Sequence, residues 1–163
     1  MISPNLIMSN FELHISLNAH EKDYVGSLLK FAQFDKNTKL LASGEKCKNI
    51  FFVESGCLRV FYTDQLGSEH NIYFAPENWW AVDMSSFSMQ TPAFYSISAI
   101  EKSSVHYIDH STLEKLYTAV PKFERFFAFL RKMDLICIRL KLPLVSHKLP
   151  KSDIGDFEIS IRS

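Results

Sequence analysis

The chain has 163 residues, of which 47% are hydrophobic and 13% aromatic, including fourteen phenylalanines. Such a chain can bury one substantial core, so we expect one domain, with or without an appendage, and little disorder. Eighteen basic residues balance eighteen acidic ones, and the lack of a basic surplus argues against nucleic-acid binding through overall charge.

Targeting and redox signals are weak along the whole chain. The first thirteen residues, MISPNLIMSNFEL, have neither a cationic start nor a long apolar stretch, so we do not expect a signal peptide. No apolar run approaches the roughly 18 residues of a membrane span. Cys47, Cys57 and Cys137 show neither disulfide pairing nor metal-ligand spacing. We therefore predict a cytoplasmic protein with reduced cysteines and no membrane contact.

The first predicted element is a helix that begins after Asn18. Asn18 can cap it, and Glu21 stands three residues later in the position of a capping box. The apolar residues expected on its buried face are Tyr24, Val25, Leu28 and Leu29. Residues 31–39 are expected to connect this helix to the first strand.

Short strands separated by glycine turns follow. The strands are predicted over residues 40–42, 50–53, 58–62 and 72–74, where β-branched and aromatic residues are frequent. Gly44, Gly56 and Gly67 lie in the turns and can supply the positive φ that tight reversals need. Turns at about 11 to 12 residue spacing indicate a small antiparallel barrel or jelly roll.

This ordered series resembles the roll of cyclic-nucleotide-binding domains of the catabolite-activator/FNR (Crp/Fnr) type of bacterial transcription regulators. The matching pieces are Gly44-Glu45, the strand ending in Glu54-Ser55-Gly56, and the strand Leu58-Arg59-Val60-Phe61-Tyr62. The resemblance continues through residues 74–80 and 99–101, and covers roughly residues 11–130. It implies an α+β fold, an antiparallel β-roll of the double-stranded β-helix type with an N-terminal helix and a long C-terminal helix.

In the resembled family, the segment that starts near residue 77 is a phosphate-binding cassette. Its short helix presents backbone amides to the cyclic phosphate, a glutamate binds the ribose hydroxyl, and an arginine pairs with the phosphate. Aligned on residues 99–101, the family's Gly-Glu pair falls on Val82 and Asp83, and its arginine falls on Ala93. Phe94 replaces a small hydroxyl residue. The predicted pocket residues are Val82, Asp83, Met84, Ala93, Phe94 and Tyr95.

These replacements predict a degenerate cassette. Asp83 can still accept from a hydroxyl group, although it is one methylene shorter than glutamate. Nothing between Asp83 and Glu101 carries a positive charge, so tight cAMP binding is not expected. The crowded aromatic residues either fill the roll or line a site for an apolar or uncharged ligand other than cAMP; they are Trp79, Trp80, Phe87, Phe94 and Tyr95. Because neighbouring side chains of an extended segment point to opposite sides, we expect at least one of the two tryptophans to be exposed.

Two further strands are predicted over residues 95–100 and 104–108, followed by a helix whose capping box would be Ser111 and Glu114. A longer helix is expected over residues 121–142, about 30 Å in length. Its apolar stripe is predicted to form the seam of a homodimer, as the resemblance implies, through Phe126, Phe127, Leu130, Met133 and Cys137. The alternative is that the stripe packs only on its own roll.

The predicted division of the chain is a roll with its N-terminal helix over residues 1–120, the dimerisation helix over 121–142 and a short tail over 143–163. The tail fits no helix-turn-helix, so no DNA binding is expected from this chain alone. Alternating apolar residues in it, Phe157, Ile159 and Ile161, fit one short strand or a disordered tail.

The resulting hypothesis is a regulatory or sensor module, not an enzyme, without a cofactor. One alternative is a truncated regulator without independent function. Another is a cupin-like metalloenzyme, which would need clustered histidines. That alternative is disfavoured because His70, His106 and His110 stand in separate elements without an H-x-H pair.

Overall fold

The structure is a computed structural model that describes residues 5–141, with side chains described over residues 6–138. Five helices and eight strands lie in this range. The helices are α1 (Asn5–Glu12), α2 (Ala19–Leu28), α3 (Met84–Met89), α4 (His110–Ala119) and α5 (Lys122–Lys141). The strands are β1 (Lys30–Phe34), β2 (Lys39–Leu41), β3 (Asn49–Ser55), β4 (Cys57–Thr63), β5 (Glu69–Pro76), β6 (Trp80–Ala81), β7 (Ser96–Ala99) and β8 (Ser103–Asp109).

The strands form two four-stranded antiparallel sheets. The first has the order β1-β8-β3-β6 and the second has the order β2-β7-β4-β5. Buried side chains from both sheets, such as Val53 and Val105 in the first and Leu58 and Ile97 in the second, share one core. The predicted α+β fold, an antiparallel β-roll with flanking helices, is confirmed.

The turn between β3 and β4 shows why glycine is needed there. Gly56 has a φ of +89°, a conformation that side chains with a Cβ rarely adopt. A Cβ on Gly56 would also lie 2.4 Å from the Ser103 hydroxyl and 2.6 Å from the Lys102 carbonyl oxygen. The sequence prediction of a positive φ at Gly44, Gly56 and Gly67 is confirmed at all three positions.

The helix caps agree with the sequence in one case and correct it in another. In α2, Asn18 and Glu21 form the predicted capping box, with reciprocal bonds of 2.9 and 2.8 Å. On the predicted buried face Val25 is fully buried, whereas Tyr24 is 39% exposed. In α4 the cap is Asp109, which accepts from the Thr112 amide, so the predicted capping box that begins at Ser111 is wrong.

Two elements at the start of the roll were not predicted. Residues 31–39, expected to be a connector, contain all of strand β1 except its first residue, and β1 pairs with β8 along its whole length. Helix α1 precedes the predicted first helix and buries Ile7 and Phe11 completely. The Phe11 ring lies edge to face against Phe123 and Phe126, each with centroids 4.9 Å away. Helix α1 therefore joins the roll to α5.

Helix α5 is observed over Lys122–Lys141, close to the predicted 121–142. Its first half belongs to the core of the roll, because Phe123, Phe126 and Phe127 are all at most 1% exposed. Within residues 5–141, no helix is both long enough and apolar enough to cross a membrane. The predicted tail, including the alternating residues 157–161, lies outside the described residues.

Candidate functional site

The cassette segment (residues 82–95) is fastened by a single carboxylate. Asp83 caps α3 by accepting a hydrogen bond from the Ser86 amide at 3.0 Å. Its other oxygen accepts from the amides of Phe94 at 3.0 Å and Tyr95 at 3.1 Å. Because Asp83 is only 3% exposed, these three backbone donors satisfy it in place of water. One buried anion thus joins the start of the segment to its end.

The expected role of Asp83, accepting from a ligand hydroxyl group, stays a prediction. Three backbone amides already donate to its carboxylate. The three donors around it are the kind of backbone nest that binds anions in proteins. Here the anion belongs to the chain.

The other predicted pocket residues surround Asp83 but do not form an open site. Val82, Met84 and Ala93 are buried in the main core. Phe94 is 42% exposed, and Tyr95 is half-buried. The roles of these residues in binding a ligand therefore stay a prediction.

Aromatic side chains cover this end of the roll. Phe94 stacks on Tyr62, with centroids 5.6 Å apart, and lies edge to face against Tyr95. Tyr62 stacks in turn on His70. Together with Ile72, Tyr62 forms a second, smaller apolar cluster that receives Ile138 from α5. This packing agrees with the interpretation that aromatic residues fill space here.

The two neighbouring tryptophans point to different surroundings, as predicted. Trp79 is 46% exposed. Trp80 is half-buried, its indole nitrogen donates to Asn10 at 2.8 Å, and its ring packs against Phe52 and Phe126. Trp80 therefore ties β6 to α1 and α5.

Arg59, the basic residue of β4, already forms interactions within the chain. The Arg59 guanidinium pairs with Glu69 at 2.8 Å and lies over the Phe61 ring at 3.9 Å. It is thus held by two partners of its own chain. The cassette segment itself contains no basic residue that could pair with a phosphate in place of Arg59.

A second buried carboxylate, Asp134 on α5, was not singled out from the sequence. It is 8% exposed. The pKa of Asp134 is raised from 3.8 to about 7, chiefly by burial and then by the negative charge of Asp83, while the Met84 amide acts to lower it. The pKa of Tyr73 is also raised, chiefly by burial and then by Asp134. Asp134 stands four residues after Leu130, so the period of the α5 stripe could have placed it on the buried face.

A cavity of about 160 Å³ lies beside this carboxylate. We call it the α1–α5 cavity, because residues of both helices and of the β5–β6 connection line it. Its walls include Tyr73, Trp79, Trp80, Phe129 and Asp134. A larger depression of about 460 Å³, along residues 40–51, contains none of the predicted pocket residues.

The predicted dimer stripe is largely used inside the protein. Phe126, Phe127 and Leu130 are buried in its own core, so they are not available to a second copy. Met133 and Cys137 are half-buried. Up to residue 138, where the description of α5 side chains ends, its exposed large apolar residues are Phe129 and Ile136. The homodimer stays a prediction, and these exposed positions replace the buried ones in it.

The histidines considered for a metal site have separate partners. His70 bonds Asp64 at 2.8 Å, His106 faces Glu54 at 3.6 Å, and His110 stacks on Phe87. Within the described residues, no three His, Cys, Asp or Glu side chains come together as a metal site. The cysteines at 47, 57 and 137 are free thiols.

Comparison with solved structures shows the same architecture. The Catabolite Activator Protein of Thermus thermophilus has a TM-score of 0.69 and 20% identity, over 80% of this chain and 61% of that chain. A cyclic nucleotide-binding domain from Methylobacillus flagellatus KT gives 0.72 and 15%, over 90% and 84%. The sensor domain of the transcriptional regulator DNR from Pseudomonas aeruginosa gives 0.62 and 18%, over 90% and 92%. At these identities the likeness concerns the fold.

No curated protein sequence matches the chain. The family model of the cyclic nucleotide-binding domain matches residues 31–119, which is more than half of the chain. This range includes all eight strands, apart from the first residue of β1. The resemblance read from the glycine turns and the strands between them is thereby confirmed. The chain belongs to the cyclic nucleotide-binding domain family.

Proposed function

We propose that the protein is a regulatory or sensor module whose cassette segment does not take a cyclic nucleotide. The observation that carries this proposal is the occupied backbone nest: the amides of Ser86, Phe94 and Tyr95 already donate to Asp83. A cyclic phosphate would have to displace this carboxylate to use the same donors.

Charge opposes such a displacement. A phosphate beside Asp83 would place two anions together in a region of low dielectric, where like charges repel strongly. Ala93 stands where the resembled family has an arginine, and Arg59 is engaged with Glu69. The phosphate would therefore lack the charge-assisted hydrogen bonds that make such sites strong.

The output of the module is proposed to pass through protein contacts in the cytoplasm. The apolar positions on α5 that remain outside the core, Phe129 and Ile136, suit contact with a second copy of the chain. No catalytic role and no DNA binding by this chain alone are proposed. The cassette and the α5 contact can be tested separately.

Calorimetric titration with cAMP and cGMP tests the cassette. We expect dissociation constants no tighter than about 1 mM, against about 1 μM or better for a competent pocket. Saturable micromolar binding would overturn the proposal. As a check on its structural basis, Asp83→Asn should lower the free energy of unfolding by about 1–3 kcal/mol, because the buried donors lose a charged acceptor. Asp23→Asn, at an exposed position, serves as the control. Equal stability of the two variants would show that the hydrogen bonds to the Asp83 carboxylate do not stabilise the fold.

A further inference from the structure

The α1–α5 cavity has the size of a small ligand site. Its volume of about 160 Å³ is close to that of an engineered apolar cavity of about 150 Å³ that binds benzene. Five aromatic side chains form much of its wall: Tyr73, Trp79, Trp80, Phe126 and Phe129.

The described wall of the cavity has a buried acidic group but no lysine or arginine to pair with it. Asp134 contributes a carboxyl group that is more than nine-tenths buried. Among the residues whose side chains the structure describes, no lysine or arginine lines the cavity, and the basic residue in its wall is His14, whose ring lies 3.9 Å from that of Phe129 between centroids. A buried acid without a cationic partner in the wall favours a ligand that brings a positive charge.

We propose that the α1–α5 cavity binds a small organic cation of the alkylammonium class, with Asp134 as its counter-ion and the aromatic rings around its methyl groups. Aromatic faces attract such cations through their quadrupole, and this attraction grows when water is excluded. The proposal extends the proposed function by giving the sensor module a ligand class. It depends on the cavity and not on the cassette.

Binding of this cation is coupled to pH. Because the pKa of Asp134 is raised to about 7, a cation that pairs with the carboxylate displaces a proton near neutrality. Affinity therefore rises as pH rises through about 7. The other titratable groups near Asp134 are Asp83, Tyr73, Tyr95, Cys47, Cys137 and His14. A variant at Asp134 is therefore needed to assign the pH dependence to this carboxyl group.

The experiment uses a pair of ligands with the same shape and different charge. Choline carries a quaternary ammonium whose charge does not depend on pH, and 3,3-dimethylbutan-1-ol is its neutral isostere. Both tryptophans of the chain line the cavity, so intrinsic fluorescence reports binding directly. We expect choline to bind about tenfold or more tightly than the alcohol at pH 8, as a charge-assisted contact contributes. Equal affinities, or no fluorescence change with either ligand, would overturn the proposal.

Variants test whether Asp134 causes the preference for choline over the neutral alcohol. Asp134→Asn should reduce choline affinity to that of the alcohol and should flatten its pH dependence, whereas Glu124→Gln, exposed on the same helix, should leave both unchanged. Retained discrimination in Asp134→Asn would overturn the assignment. If that variant did not fold, the choline pH profile of the native protein would decide, and an affinity independent of pH between about 5 and about 8 would contradict the proposal. Micromolar cAMP binding would overturn the proposed function and leave this inference standing, whereas failure with choline would leave the cassette argument intact.

Discussion

At the scale of single residues, two buried aspartates have different environments. Asp83 accepts three backbone hydrogen bonds at 3.0–3.1 Å, and this is the arrangement that stabilises an ionised carboxylate in a protein interior. Asp134 is nearly as deeply buried but faces the charge of Asp83. The same side chain is therefore held by backbone donors in one position and has a raised pKa in the other.

Asp134 makes the stability of the protein depend on pH. Its folded pKa of about 7 lies above the ordinary 3.8, so the folded state binds the proton more tightly than the unfolded state. The stabilisation is fully present below about pH 4 and is lost as pH rises to about 7, by up to about 4 kcal/mol at about 1.4 kcal/mol per pH unit.

Asp134→Asn removes this dependence. The native protein should lose stability relative to the variant between about pH 4 and about pH 7, and the difference should be constant above that. Urea unfolding at several pH values measures the difference. Glu124→Gln is the control, and a native-to-variant difference that does not change with pH would show that folding does not shift the pKa of Asp134.

These two residues also show what the sequence could indicate. Asp134 falls on the apolar stripe of α5, so its burial can be predicted from the helical period. The partners of Asp83 cannot be predicted in this way, because the amides of Phe94 and Tyr95 reach it only after the chain has turned back beyond α3. Spacing along the sequence does not indicate which oxygen atom accepts a hydrogen bond from a distant backbone amide.

At the scale of elements, most of the roll follows from local patterns. Glycine turns and alternating apolar residues predicted β3, β4 and β5, whose bounds the structure extends by a few residues at most. Strand β1 was missed because it lies at the edge of its sheet and exposes Lys30, Phe31 and Gln33, so its sequence has no clear buried face. Helix α1 was missed because its burial depends on α5, more than a hundred residues later.

The β3–β4 turn gives a prediction at this scale. Gly56→Ala forces both an unfavourable φ and contact with Ser103 and Lys102, whereas Gly67 has a similar φ of +83° with open space around it. We expect Gly67→Ala to cost about 1–2 kcal/mol, the ordinary cost of the left-handed conformation, and Gly56→Ala to cost clearly more. Chemical denaturation compares the two variants. Equal costs would mean that the turn relaxes without disturbing β8.

At the scale of the whole molecule, α5 is part of the roll as well as a surface. Its phenylalanines complete the main core, and its exposed side retains Phe129 and Ile136. Leu130→Glu is expected to damage the fold, since Leu130 is only 6% exposed. It is therefore unsuitable as a test of assembly.

Ile136→Glu tests the homodimer instead. Ile136 is 49% exposed, so the substitution should leave the fold intact. In a two-fold dimer that pairs the α5 helices it would bring like charges together and favour monomers. Size exclusion with light scattering, with Ser111→Glu on α4 as control, measures this. A native protein that is already monomeric at tens of micromolar would contradict the dimer.

The attachment of α5 has a mechanical consequence. The helix is held at two separate places, by the large phenylalanine-rich core before Leu130 and by the small cluster of Tyr62 and Ile72 that receives Ile138. The small cluster buries far less apolar surface, so it separates at a lower cost. Helix α5 would therefore open from its C-terminal end, with the phenylalanine core as the pivot. Since Tyr62 also stacks on Phe94, such an opening would loosen the end of the cassette segment at the same time.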